Sequence, residues 1–322
     1  MSGEMRGLDV LAVGESLGLV MPDTVGRLAH TRGARIGFGG AESNVAIGVS
    51  RLGGTAGWAG RLGADGLGDL IARELRAEAV QVHAVVDPEA ATAVMIKERP
   101  RTGATRVTYY RSVQAGSRLT EADIPDGLIE NSRILHLTGI TAGLGERPLS
   151  ALHRLIDRAQ AAGTTVSFDV NHRPSLWQHG RDAADAYRTL IRRSDIVFAG
   201  DDEARLVTGK DDASEQRDAL RDLGPACVVI KLGERGAVAS EGASVVSRPA
   251  VRVDVVDTVG AGDAFVAGWL SETIAGADLE TRTQTAVICG ALACTTEGDW
   301  EAAPTRADIT ALGAGDADPV QR

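Results

Sequence analysis

The stretch Asp257-Thr258-Val259-Gly260-Ala261-Gly262-Asp263-Ala264-Phe265-Val266-Ala267-Gly268 decides how this chain is read. A strand-like run ends near Val256, three small residues make a turn, and an apolar helical period begins at Ala264. Glycines in such a turn leave backbone N–H groups uncovered at a helix N-terminus, where unsatisfied donors and the helix dipole favour an anion. Gly260, Ala261 and Gly262 are therefore candidates for an anion hole. Asp263 stands beside it, placed to accept the proton of an attacking hydroxyl. The helix terminus should keep this aspartate ionised at neutral pH, which makes it a weak base. Weakness suits phosphoryl transfer, where orientation and charge neutralisation supply most of the acceleration. Taken alone, Asp263 reads more simply as a helix cap.

A second glycine cluster changes that balance: Gly39-Gly40-Ala41-Glu42-Ser43-Asn44-Val45-Ala46, a loop entering a helix. Backbone at a diglycine can approach a sugar closely, and Asn44 offers both a donor and an acceptor to hydroxyls. The cluster falls short of G-x-G-x-x-G, and no G-x-x-x-x-G-K-[ST] occurs anywhere, which excludes the P-loop kinases.

Outward from these loops, short Val- and Ile-rich runs alternate with helical periods. The sequence reads as Leu8 to Val13, Ala41 to Leu52 and Leu67 to Ala77, then Ile134 to Leu137, Arg147 to Ala161, Val166 to Val170, Asp182 to Arg192, Ile196 to Ala199 and Cys227 to Leu232. That alternation predicts an α/β fold with a largely parallel central sheet flanked by helices. Ala91 to Glu98 and Arg106 to Ser112 break the pattern, since only Arg99-Pro100-Arg101-Thr102-Gly103 separates them, and they read as an antiparallel hairpin. The expectation is one domain over residues 1–322 with a small β lid from segments near 15–38 and 91–112, and, from Ala303 on, a short helix and then a frayed tail over 313–322. Such a flap would exclude water, which competes as phosphoryl acceptor.

Composition narrows the function. A formal net charge of −10 and few aromatics argue against nucleic acid, which needs a basic face and stacking platforms. No run approaches the roughly 20 apolar residues of a membrane helix, and Met1 to Asp9 has no signal-peptide pattern, so a cytoplasmic protein without membrane partners is expected. Cys227, Cys289 and Cys294 lack C-x-x-C spacing and read as buried thiols, and the six histidines show no metal-ligand spacing. Gly14-Glu15-Ser16-Leu17-Gly18 matches the G-x-S-x-G of serine hydrolases, but an extended segment follows it rather than the helix that motif requires.

The two glycine segments together resemble the ribokinase-like, or PfkB, carbohydrate kinases, whose signatures are an early G-G-x-x-x-N loop and a late D-T-x-G-A-G-D-x-F segment. The resemblance runs from Val13-Gly14-Glu15 to the region of Pro304. It implies a ribokinase-like fold, Asp263 as catalytic base, Gly260 to Gly262 as anion hole, a requirement for ATP and Mg²⁺, and Gly39, Gly40 and Asn44 against the sugar. Lys231-Leu232-Gly233-Glu234-Arg235-Gly236 resembles the family's K-x-G-x-x-G, which implies nucleotide contacts from Lys231, Gly233, Gly236, Gly260 and Gly262. Asn171 is placed with the nucleotide too, just past a strand's carboxyl end where ligands gather in open α/β sheets.

Phe168-Asp169-Val170-Asn171-His172-Arg173-Pro174-Ser175-Leu176-Trp177 is similar to the D-x-N-x-R-P-x-L-W of 2-keto-3-deoxygluconate kinases, and Tyr109-Tyr110-Arg111 to their Y-Y-R. Arg111 and Arg173 could hold a carboxylate between them, because guanidinium groups present paired donors. A neutral sugar gives no reason for two such arginines. The resemblance also places Asp299 against a substrate hydroxyl, Tyr109 beside the substrate and Glu203 behind Mg²⁺ through water. Two departures stand out: Gly200-Asp201-Asp202-Glu203 lacks the asparagine of the family's N-x-x-E, so that Asp201 or Asp202 would have to substitute, and Met95 stands where these kinases usually carry an aromatic. A neutral-sugar kinase acting on fructose or ribose is the alternative, and a sugar-binding protein without turnover is a more distant one. An apolar flap strand that can pair across a dimer is compatible with a homo-oligomer.

Overall fold

A computed structural model describes residues 7–102, 104–177 and 180–314. Thirteen strands form two sheets: β1 Leu8–Val13, β2 Leu17–Pro22, β3 Ala34–Gly39, β4 Ala56–Gly63, β5 Gln81–Asp87, β6 Val94–Arg101, β7 Ala104–Tyr110, β8 Ser132–Thr138, β9 Thr165–Asp169, β10 Ile196–Gly200, β11 Cys227–Lys231, β12 Ala237–Glu241 and β13 Ser244–Arg248. The large sheet runs β13-β12-β11-β10-β9-β8-β1-β4-β5. From β11 to β5 every pairing is parallel, while β12 and β13 close one edge antiparallel.

Successive residues of the central strands bury on opposite faces. Leu11, Val13, Leu135, Leu137, Phe168 and Val197 face one core, under the helices Glu146–Ala162 and Ala183–Ile191. Val10, Ala12, Ile134, Phe198 and Val229 face another, with Trp58 and Trp269 fully buried. The helix Ala261–Ile274 contributes to this second core and is apolar all round, with Ala264 through Glu272 buried, as expected of a helix enclosed on every side. It carries the turn Gly260–Gly262 at its first residues, and its burial fixes that turn against the body.

The chain enters the sheet at β1, builds outward to β4 and β5, then returns to β8 and builds the other way. The reversal between β1 and β8 leaves a crevice outside the strands' carboxyl ends, the position where doubly wound sheets bind ligands. The small sheet, β3-β2-β6-β7, is antiparallel except for the β2–β6 pairing. Leu17, Leu19, Ala93 and Met95 form its own buried cluster.

Several expectations shift. The hairpin strands sit differently from the expected Ala91 to Glu98 and Arg106 to Ser112, because pairing continues to Arg101 and starts again at Ala104; Gly103 lies outside the described residues. No strand leads into the Gly260–Gly262 turn: residues 249–260 are irregular, and Val255 and Val256 are exposed without a ladder partner, since β13 is already the sheet edge. The helix begins at Ala261 rather than Ala264, because Gly260 supplies a left-handed cap at φ 79°. The short helix expected after Ala303 runs Arg306–Ala314, two residues into the tail expected over 313–322, and 315–322 lie outside the described residues. The hairpin β12–β13 was not anticipated. Among the described residues, no helix is long and apolar enough to cross a membrane.

Candidate active site

Five strands deliver residues to the crevice at their carboxyl ends: Gly14 and Glu15 after β1, Thr138 at the end of β8, Asp169 and Asn171 at β9, Glu203 after β10 and Lys231 at the end of β11. Asp263, in the first turn of Ala261–Ile274, lies among them. Asn44 donates from Nδ2 to Asp263 Oδ2 at 2.8 Å, and Asn171 Nδ2 lies 3.5 Å from Oδ1. Asn171 takes φ 38°, a left-handed conformation that asparagine tolerates. Its side chain reaches Asp263, at the strand's carboxyl end where the sequence places it with a nucleotide.

Burial pushes the Asp263 carboxyl up to about 6, with Asp169 adding to the rise and the Asn44 hydrogen bond, Arg173 and Lys231 opposing it. The helix terminus was expected to keep this group at ordinary acidity. Removal from water outweighs that, so Asp263 is a better base than expected while still mostly ionised at pH 7.

The turn beside it is built on glycine for two reasons. Gly260 has φ 79°, and a Cβ there would lie 1.8 Å from the Asp299 carbonyl oxygen. Ala261 N–H reaches back to Thr258 O at 3.4 Å, while the Gly262 and Asp263 amides belong to the first turn and have no intrahelical acceptor. Lys231 brings positive charge to this spot: its Nζ is 3.7 Å from where a Gly262 Cβ would sit, and it donates to both Asp169 carboxylate oxygens at 2.7 and 2.8 Å. Burial would lower the Lys231 pKa, but Asp169 and Glu203 hold it above its ordinary value. The lysine thus turns into the crevice rather than merely flanking its loop. Gly233 and Gly236 shape the turn between β11 and β12, with Gly236 pressed against the backbone of Arg248 and Pro249.

On the other side of Asp263 lies the diglycine loop. A Cβ on Gly39 would meet Asp299 Oδ2 at 2.2 Å and Met95 Cε at 2.8 Å, so backbone, carboxylate and thioether share one wall. Burial lifts Asp299 to about 7 against the pull of Lys97. Glu42 is fully buried; its Oε1 accepts from Thr138 Oγ1 at 2.7 Å and Thr141 Oγ1 at 2.6 Å, and burial raises it to about 7. Glu15, also buried, accepts from Arg111 Nη2. Among the described residues Glu15 Oε1, Ser16 Oγ, Glu42 Oε2, Asn44 Oδ1, Asp299 Oδ1 and Arg111 Nε have no hydrogen-bond partner, a concentration of orphaned polar atoms in one region.

The two arginines differ. Arg111 is buried, stacks over Tyr109 at 5.0 Å and spends part of its fork on Glu15, so it is not a solvated strand charge. Arg173 donates to His172 O at 3.1 Å and, among the described residues, forms no ion pair. At the suspected metal position, Glu203 accepts from His172 N–H at 2.8 Å and Gly200 N–H at 2.6 Å. Asp201 is occupied by Gln216 and Arg235, and Asp202 is 93% exposed and paired with Arg205, so neither takes the place of the absent asparagine. No group of three or more His, Cys, Asp or Glu among the described residues is arranged to hold a metal. Mg²⁺ riding on phosphates keeps most of its waters and needs no such cage, and a fixed Glu203 fits a water-mediated contact. The hydrolase motif is excluded by context: Gly14 to Ser16 link two strands and no helix follows.

The model of the pfkB family carbohydrate kinases matches residues 8–306. The chain belongs to the pfkB family of carbohydrate kinases. It is 36% identical over 308 residues to a 2-dehydro-3-deoxygluconokinase of Bacillus subtilis, covering 95% of each chain. A 2-dehydro-3-deoxygalactonokinase of Haloferax volcanii is 33% identical, covering 90% of this chain and 92% of the relative. The crystal structure of a PfkB protein from Polaromonas sp. JS666 superposes with a TM-score of 0.86 at 34% identity, over 94% of this kinase and 99% of that chain.

Glu15, Glu42, Asp169, Thr138, Thr141 and Lys97 were not singled out from sequence. Asp169 stood inside a quoted segment, and Lys97 follows Met95 by two residues, so the two share one face of β6, but Glu98, Arg99 and Arg101 on the same strand give it no distinction among charges.

Proposed function

We propose that this carbohydrate kinase transfers the γ-phosphate of ATP to the 6-hydroxyl of 2-keto-3-deoxygluconate, with Asp263 as base. The observation that carries the reading is the Asp263 carboxylate held between Asn44 and Asn171 at the glycine-built terminus of a buried helix. Both amides orient the carboxylate, so its free lone pairs are aimed before the hydroxyl arrives. The sugar hydroxyl gives its proton to Asp263 as its oxygen attacks phosphorus, and the bond to the departing ADP oxygen breaks. The amides of the Gly260 to Asp263 turn and the Lys231 ammonium group lie where charge on the transferred group would be met. Bound Mg²⁺, reached through water from Glu203, would neutralise part of the phosphate charge. Gly233, with open space beside it, leaves backbone room for the nucleotide, and Gly236 holds that turn against Arg248 and Pro249.

The orphaned atoms of Asn44, Glu42, Glu15 and Asp299 support a polyhydroxylated ligand, whose hydroxyls both donate and accept. Asp299 against Gly39 suits a substrate hydroxyl. Arg173, unpaired by any acid among the described residues, suits a carboxylate, with Arg111 and Tyr109 contributing from the flap strand. The names of the relatives above point to 2-keto-3-deoxy acids as well. The small sheet would act as the lid that keeps water from the transferring group, and ATP supply places the reaction in the cytoplasm.

The test is ATP-dependent phosphorylation, with Mg²⁺, of 2-keto-3-deoxygluconate, its galactonate epimer, fructose and ribose by wild type and Asp263→Ala. The reading expects preference for a keto-deoxy acid and a loss of about 10²–10⁴ in kcat for the variant. Preference for a neutral sugar overturns the acid assignment, and an active variant overturns the base.

A further inference from the structure

We propose that Lys97 is a positioning residue whose ammonium group ties the small sheet to the anion-hole turn, so that seating of the flap and placement of the turn's amides occur as one event. The inference rests on reading the Gly260 to Gly262 turn as the anion hole. Lys97 lies on β6, two residues beyond Met95 on the same inward face, and is 3% exposed. Its Nζ donates to Asp257 Oδ2 and stands 3.8 Å from Asp299 Oδ1. Each of these carboxylates belongs to a segment that shapes the site. Asp257 opens the turn, and its Oδ1 accepts from Val259 N–H at 3.2 Å. Asp299 carries the carbonyl oxygen that abuts Gly260 and the carboxylate that abuts Gly39. One cation therefore joins the flap strand, the phosphate side and the sugar side of the crevice.

Charge balance makes the lysine necessary. Burial raises the pKa of Asp299, Lys97 is the group that opposes this, and Asp263, Glu301 and Asp257 lie close enough to add to the rise. Without it, two enclosed carboxylates would repel across the turn or take up a proton, and either outcome moves Val259 and Gly260. The small sheet has other links to this region, since Arg99 and Arg35 both contact Glu297. Those pairs are 30–57% exposed and contribute little, whereas the Lys97–Asp257 pair is 4% and 14% exposed. Lys97 does not touch Asp263, so its influence on turnover is exerted through the turn.

The experiment compares Lys97→Met, Lys97→Arg and Asp257→Asn with wild type by steady-state kinetics and by amide hydrogen exchange. Lys97→Met should lower kcat by about 10–10²-fold with KM for ATP and sugar within threefold, because a displacement of about 1 Å costs that much. Exchange across residues 257–263 should rise about tenfold while the helix 146–162 stays protected. Lys97→Arg, which keeps the charge, should recover most of kcat, and Asp257→Asn should reproduce the exchange change with the lysine intact. Unchanged exchange over 257–263 in both Lys97→Met and Asp257→Asn, or a loss that tracks unfolding of the whole chain, overturns the proposal. A wild-type enzyme that phosphorylates none of the sugars would sink the functional reading alone, and the exchange comparison would still decide the role of Lys97.

Discussion

Replacing Asp263 with asparagine should make the enzyme inactive and more stable. Burial raises this carboxyl from 3.8 to about 6. A shift of about two pH units is worth about 3 kcal/mol of differential cost between the charged and neutral forms. The native state binds this proton more tightly than the unfolded chain, so the group penalises folding increasingly as pH rises from about 4 and fully once pH exceeds about 6. Asparagine never ionises and escapes the penalty, and its side-chain oxygen can still accept from Asn44. The gain should therefore be small at pH 4, reach about 2–3 kcal/mol at pH 8, and appear there as about 3–4 °C in Tm for a chain of this size. Urea unfolding at pH 4.5, 6 and 8, run beside the kinase assay, reads both quantities. Equal destabilisation at every pH, or a gain that does not change with pH, would refute the claim that burial raises this base. In the active enzyme the same group predicts that kcat/KM falls tenfold per pH unit below about 6, as the base takes up its proton.

Gly260→Ala should cost more than about 2 kcal/mol and reduce kcat by more than 100-fold, since a methyl group there combines a left-handed backbone with contact on the Asp299 carbonyl; wild-type kcat in this variant would remove the turn from the mechanism. Arg173→Ala should raise KM for 2-keto-3-deoxygluconate by about 10–100-fold, the value of a lost charge-assisted hydrogen bond, while changing KM for fructose less than twofold; equal effects on both substrates would show that this arginine does not recognise a carboxylate.

Much of the site was legible because it rests on residues whose chemistry is local. Gly260 announces a left-handed turn that a side chain would obstruct, and Asp263 follows it in the first turn of a helix. Asn44 and Arg173 were visible for the same reason: each stands at a fixed offset from a glycine or proline that sets the backbone. Glu42 and Glu15 were not. Both are acids in apolar or glycine-rich surroundings, and nothing within ten residues of either shows that its partners are Thr138 and Thr141, or Arg111. The metal position misled for a related reason. Asp201 and Asp202 look interchangeable in sequence, but the helix they begin points one at Gln216 and Arg235 and the other at solvent.

The parallel sheet, the two glycine loops and the candidacy of Asp263 can be read along the chain, because periodicity and glycine placement act over a few residues. That Asn171 turns to Asp263, that Lys231 pairs with Asp169, and that Lys97 crosses 160 residues of chain to meet Asp257 emerges from the packed fold. The same packing buries the base enough to hold its proton up to about pH 6. Charge pairing and desolvation depend on which segments pack together, and no local pattern records the distance between two strands until the sheets have formed.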